Sequence, residues 1–110
     1  MDGRNILILG GTGDAILIAE QLSVASNLNI ITSLAGATRN PRLPTGKTRI
    51  GGFGGKEGLI GFLENQEISL IIDATHPFSS QIKDNAIFAA KKLCLPLVHL
   101  VRDEWRVEFG

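Results

Sequence analysis

The chain has 110 residues and a mass of 11.8 kDa, which is the size of one domain and leaves no room for a second core of similar size. Eleven basic and eleven acidic side chains give a formal net charge of +0, which argues against a surface that tracks nucleic acid. The single cysteine, Cys94, excludes an internal disulfide and a cysteine-rich zinc site and favours a reducing cytosol, and no other metal-ligand set is visible.

The first half of the chain predicts two strands and one helix. Residues 5–9 (NILIL) form an apolar, β-branched run without polar alternation, as in a strand covered on both faces. A glycine-rich turn follows, and then apolar residues at helical spacing continue to Leu22. Residues 28–34 (LNIITSL) are again strand-like, whereas 35–47 hold two prolines and two glycines and are predicted to be irregular.

The second half predicts three strands and two helices. A short strand over 48–50 precedes a second glycine-rich turn and a helix over 56–65, and strand 69–75, helix 79–93 and strand 97–101 follow. This order, with mostly short connections, predicts an α/β fold: a Rossmann-like open parallel sheet of about five strands with helices on both faces. No apolar run approaches the ~20 residues of a membrane span, and no targeting segment is visible.

The domain assignment follows from this pattern. Residues 1–104 form the predicted Rossmann-like dinucleotide-binding domain. In the tail, 105–110, the apolar residues Trp105, Val107 and Phe109 alternate with charged ones. The tail is either an edge strand that folds back on this domain or a truncated linker toward a missing second domain.

The turn after the first strand has the features of a dinucleotide site. Gly10, Gly11 and Gly13, with Thr12 offering a hydroxyl, lie where the backbone can approach a pyrophosphate at a helix N-terminus. The fit to G-x-G-x-x-G is incomplete, because Ile16 takes the third glycine position. The alternative is a tight turn without a ligand.

The residues after the second strand bear on the choice of cofactor. NAD-specific sites place a carboxylate there, whereas NADP sites use arginine for the extra phosphate. Ser33-Leu34-Ala35-Gly36 holds no acid, and Arg39 lies just beyond. We therefore expect NADPH, with NADH as the alternative; Arg39 is otherwise a solvated loop charge.

The second glycine cluster is a rarer pattern than the first glycine turn. Gly51-Gly52-Phe53-Gly54-Gly55 leaves backbone amides at the carboxyl edge of the sheet, where ligands of open α/β folds bind. Such a loop is entropically costly unless something requires it. It predicts a ligand contact, against the alternative of a sharp turn.

Few side chains suggest acid–base chemistry. Asp73 stands among apolar strand residues and is expected to bond loop amides. His76 binds substrate, donates a proton or only caps the next helix. His99, inside the last strand, is expected to be packed rather than functional, and Cys94 has no activating neighbours.

Taken together, these clusters resemble the precorrin-6A and cobalt-precorrin-6A reductases of cobalamin synthesis. Four segments carry the resemblance: ILILGGTGDA (6–15), SLAGAT (33–38) with Arg39, GGFGG (51–55) and DATHPF (73–78). The resemblance implies reduction of a tetrapyrrole macrocycle by hydride from NADPH, or from NADH. It also implies two α/β domains around a substrate cleft, so that this chain supplies the cofactor-binding half.

The resemblance also implies roles for individual residues. The pyrophosphate would be cradled by Gly10, Gly11, Thr12 and Gly13. The adenosine end would meet Ser33, Ala35, Gly36 and Arg39, and the remaining groove would be lined by Gly52, Phe53, Gly54 and Gly55. Thr75 and His76 would face the nicotinamide and the substrate, which makes His76 the candidate proton donor. Two other functions remain open, a non-catalytic nucleotide-sensing module and a reductase of another small substrate.

Overall fold

The computed structural model describes residues 4–24, 27–34, 46–76 and 78–100. Along the chain the elements are β1 (Arg4–Leu9), α1 (Gly13–Leu22), β2 (Leu28–Leu34), β3 (Lys47–Ile50), α2 (Gly55–Asn65), β4 (Ile68–Asp73), α3 (Ser80–Leu93) and β5 (Leu97–His99). The predicted order of strands and helices is therefore confirmed. Ala35, Gly36, Arg39 and the tail 105–110 lie outside the described residues.

The five strands form one sheet in the order β3-β2-β1-β4-β5, and every neighbouring pair is parallel. The chain moves outward from β1 to β2 and β3, then crosses back to β4 and β5 on the other side. The carboxyl ends of β1 and β4 consequently flank the point where the strand order reverses. Open α/β sheets bind their ligands at this point.

Helices cover both faces of the sheet, as the sequence predicts. Leu7 and Leu9 of β1 point into a core that includes residues of α2 and α3, whereas Ile6 and Ile8 point into a core shared with α1. Successive strand side chains alternate between faces, so both faces of β1 must be apolar. This is why residues 5–9 show no polar alternation. No helix in the described ranges has the length and hydropathy of a membrane span.

Strand β4 ends at Asp73, two residues before the predicted boundary. The amide of Thr75 donates to the carboxylate of Asp73 at 3.0 Å instead of to a neighbouring strand. The side chain of Asp73 thus replaces the sheet ladder at this point, and the strand is shorter than the predicted 69–75. The end of β4 is therefore a loop that faces the ligand edge.

Helix α2 packs its first turn directly against the second glycine cluster. A Cβ atom added at Gly58 would overlap the carbonyl oxygen of Phe53, whereas one added at Gly61 would meet open space. Gly58 therefore lets the loop lie on the helix backbone. The sequence gives both glycines the same helical setting, and only the packing distinguishes them.

Substitution of these two glycines tests the packing. Gly58→Ala forces the Phe53 carbonyl to move, and we expect it to lower the free energy of unfolding by about 1–3 kcal/mol. Gly61→Ala only improves helix propensity and is expected to raise that free energy by about 0.5–1 kcal/mol. Urea unfolding followed by circular dichroism measures both. If both substitutions changed the free energy of unfolding in the same direction, the contact between Gly58 and the Phe53 carbonyl would be contradicted.

Candidate functional site

A pocket of about 320 Å³ opens at the carboxyl edge of the sheet. This volume is at the lower end of the roughly 300–1,000 Å³ usual for small-molecule sites. Its wall contains many of the residues predicted to bind a cofactor: Gly10, Ser33, Gly52, Phe53, Gly54, Gly55 and Thr75. The structure therefore brings together the ends of β1 and β2, the second glycine cluster and the loop after β4.

The opposite wall comes from the N-terminal part of α3, which sequence reasoning missed. Ser79, Gln81, Ile82 and Asn85 line the pocket there. Gln81 and Asn85 are four residues apart and share one helix face. In the sequence, this polar pair beside the apolar stripe of the helix was the one sign of a possible site on this helix. Only the fold shows that the pair borders a pocket.

One register level crosses all five strands and forms a floor beneath the site; of its residues, Ser33 and Leu9 line the pocket itself. In order across the sheet it consists of Arg49, Ser33, Leu9, Asp73 and His99. Leu9 belongs to the core under α2 and α3, and paired residues of adjacent strands point to the same face. The floor therefore has one apolar residue at its centre and a polar pair on each side.

Asp73 is fully buried and is the acceptor for one of these pairs. Its Oδ1 accepts from the amide of Thr75 at 3.0 Å and from Thr75 Oγ1 at 2.6 Å. Its Oδ2 lies 2.9 Å from Lys83 Nζ and 2.8 Å from His99 Nδ1. The expected bond from Asp73 to a loop amide is thus confirmed, and the carboxylate ties Thr75 to α3 and β5.

Burial and hydrogen bonding act in opposite directions on this group. Burial by itself raises the pKa of the Asp73 carboxyl, but the bonds from Thr75, Lys83 and His99 outweigh it and hold that pKa below its ordinary value. Because an ionised carboxylate only accepts, the hydrogen of this bond lies on His99 Nδ1. The prediction of a packed His99 is wrong: its side chain is 40% exposed and is oriented by Asp73.

The first glycine turn continues from the pocket wall at Gly10. The amide of Gly10 donates to the carbonyl of Ser33 at 2.8 Å. Cβ atoms at Gly11 and Gly13 would meet open space, and Gly11 has a φ of +116°. The hydroxyl of Thr12 donates to the carbonyl of Ala74 at 2.7 Å and accepts from the first turn of α1, so it joins two loops. Ligand contacts by these residues stay predictions.

His76 lies in the loop after β4 and is exposed, outside the pocket wall. Its Nδ1 accepts from the amide of Phe78 at 3.2 Å, and the two rings are 5.2 Å apart. Phe78 precedes Ser79, the N-cap residue of α3, so this bond orders the loop before the helix rather than capping the helix itself. A catalytic role for His76 stays a prediction.

Arg49, in β3, is a further side chain that sequence reasoning missed. Its guanidinium donates to Ser33 Oγ and to the carbonyls of Gly51 and Gly52, and it lies 4.0 Å from the centre of the Phe53 ring. The sequence showed only an arginine in a minimal strand. Its partner Ser33 is fixed by the pairing of β2 with β3, which no local pattern reveals.

Comparisons with known proteins identify the relatives of this chain. The family model described as "Precorrin-6x reductase CbiJ/CobK" matches residues 5–109. The precorrin-6A reductase of Rhodococcus erythropolis is 50% identical over 100 residues, which cover 91% of this chain and 40% of that protein. The precorrin-6A reductase of a Sinorhizobium species is 46% identical over 105 residues, covering 96% of this chain and 40% of the relative.

A solved structure shows the same similarity. The CobK precorrin-6A reductase superposes with a TM-score of 0.85 at 37% sequence identity, over 96% of this chain and 42% of that one. The chain thus spans about 40% of the length of the curated relatives that it matches.

The Asp73 network can be tested by a single substitution. Asp73→Asn removes the anionic acceptor from Lys83 and Thr75, and we expect it to lower the free energy of unfolding at pH 7 by about 3 kcal/mol. Asp84→Asn, on the exposed side of α3, is the control and should change that free energy by no more than about 0.5 kcal/mol. Urea unfolding measures both, and equal effects would contradict the network.

The lowered pKa of Asp73 also predicts how the stability of the fold depends on pH. The pKa of Asp73 is lower in the folded chain than the value near 3.9 of the unfolded one. The stabilisation is therefore complete above about pH 4 and is lost as the pH falls through the folded pKa. The difference between wild type and Asp73→Asn should shrink in that range, and a difference that does not vary with pH would contradict the assignment.

Proposed function

The chain belongs to the precorrin-6x reductase family, an oxidoreductase family of cobalamin biosynthesis, and on that premise we propose that it is the cofactor-binding half of such a reductase. In this proposal the carboxyl edge of the sheet holds NADPH. The chain orients the nicotinamide for hydride transfer to a tetrapyrrole macrocycle. The remaining part of the longer relatives would complete the substrate cleft.

The observation that carries the proposal is the pocket at the point where the strand order reverses. A Cβ atom at Gly52, in its wall, would meet open space, so a ligand can approach the backbone there. The N-cap of α2 is Gly54, which has no side chain to cap the first-turn amides. Those amides and the helix dipole favour a phosphate group. The residues present therefore fit the phosphate-bearing part of a dinucleotide.

NADPH, when bound, supplies the hydride, and the chain contributes binding and orientation rather than covalent catalysis. The second glycine cluster and the start of α2 would line the cofactor groove and would share the pyrophosphate with the first glycine turn. Thr75, fixed by Asp73, would contact the nicotinamide, and the apolar side chains of Leu9 and Ile82 would exclude water from that part of the pocket. The proton that accompanies the hydride comes from water, from His76 or from the remaining part of the protein.

Two features support NADPH over NADH. β2 ends with Ser33 and Leu34, so neither of its last residues offers a carboxylate to a ribose 2′-hydroxyl. Arg39 follows in sequence and is proposed to meet the 2′-phosphate. Gly10, Gly11, Thr12 and Gly13 are proposed to contact the pyrophosphate through the backbone, together with Ala35 and Gly36 at the adenosine end.

Filling the pocket from Gly52 tests the proposal. Gly52→Leu places a side chain in the open space of the wall and is expected to weaken NADPH binding at least about tenfold, or ~1.4 kcal/mol. Gly61→Leu is the control, because a Cβ atom at this position of α2 also meets open space and Gly61 does not line the pocket; it should bind as the wild type does. Fluorescence titration with NADPH and NADH measures the affinities, and circular dichroism checks the fold.

Two results would contradict the proposal. One is a wild-type chain that binds neither nucleotide at millimolar concentration. The other is a folded Gly52→Leu variant with unchanged affinity for NADPH.

A further inference from the structure

Arg49 lies behind the pocket wall and contacts several of the residues that form it. We propose that Arg49 is the positioning residue of this pocket: it orients the donors that grip the phosphate groups of a nucleotide without touching the ligand itself. The inference rests on the proposed function, because it concerns the same pocket. It assigns the task to a residue of β3 that lies outside the glycine motifs.

The first argument is the direction of two peptide groups. Arg49 Nη1 donates to the carbonyl of Gly51 at 3.0 Å, and Nη2 donates to the carbonyl of Gly52 at 3.2 Å. In a trans peptide the carbonyl and the following N–H point in opposite directions. The amides of Gly52 and Phe53 are therefore turned away from Arg49. Within the described part of the chain neither amide donates to a protein acceptor.

The second argument is the hydroxyl of Ser33. Arg49 Nη1 donates to Ser33 Oγ at 2.9 Å, and a guanidinium has donors but no acceptor. The hydroxyl oxygen must accept this bond, so its own hydrogen is left to donate elsewhere. Ser33 lines the pocket. The wall thus offers one O–H and two N–H donors, a set suited to phosphate oxygens.

The third argument is charge. Arg49 is half-buried, and no carboxylate among the described residues forms an ion pair with it. Its guanidinium is packed on Phe53, at 4.0 Å from the ring centre. A cation held in this way favours an anion in the adjoining pocket. A lysine would keep the charge but cannot reach three acceptors with a planar group or stack on the ring in the same way.

The experiment separates geometry from charge. Arg49→Lys keeps the charge and Arg49→Met removes it, while Lys47→Met removes a charge from the same strand as the control. We expect both Arg49 variants to weaken NADPH binding by about tenfold to a hundredfold, because the donors that Arg49 no longer orients lose the equivalent of one charge-assisted bond to the phosphate groups. We also expect the ¹⁵N order parameters of residues 52–54 to fall in the unliganded Arg49 variants. Lys47→Met should change neither quantity.

Each outcome decides the inference. An Arg49→Lys variant that binds NADPH as tightly as wild type would overturn the positioning role, because charge alone would then suffice. Unchanged order parameters in residues 52–54 would overturn it as well. If Arg49→Met does not fold, as judged by circular dichroism, Arg49→Lys carries the test. Wild type that binds no nucleotide contradicts the proposed function instead, and the order parameters still decide whether Arg49 orders the loop.

Discussion

Parallel register is the constraint on which the site depends. The pairing of five strands places Arg49, Ser33, Leu9, Asp73 and His99 side by side at the carboxyl edge. A slip of one residue in any strand would move its member of this row to the opposite face. The apolar residues that cover both faces of β1 make such a slip costly. The core thus fixes the floor beneath the pocket, including the Ser33 and Leu9 that line it, as a consequence of packing.

Two side chains of opposite charge stabilise the loops on either side of this floor. Arg49 holds the carbonyls of the second glycine cluster, and Asp73 holds the amide and hydroxyl of Thr75. Glycine-rich loops have high conformational entropy, so an ordered pocket needs partners of this kind. Each anchor lies beneath the loop that it orders, which leaves the upper surface of that loop to a ligand.

The sequence alone was sufficient to predict the helices and strands and many residues of the pocket wall. β1 and β4 could be predicted because burial on both faces leaves mostly apolar residues, and Gly10 because it ends the first of these runs. The cluster 51–55 could be predicted from its four glycines around one phenylalanine. The two polar pairs beneath the pocket could not be predicted in this way. Ser33 and Arg49 are 16 residues apart and Asp73 and His99 are 26 apart, so each contact is created by strand pairing rather than by local spacing.

The central claim, that this edge of the sheet binds a reduced nicotinamide nucleotide, is tested most directly by mapping NADPH on the ¹⁵N-labelled chain. The account predicts amide shift changes concentrated at Gly10, residues 52–55 and Thr75. Shift changes at the opposite edge, around Asn29 and Lys47, would contradict it, as would a spectrum that NADPH leaves unchanged.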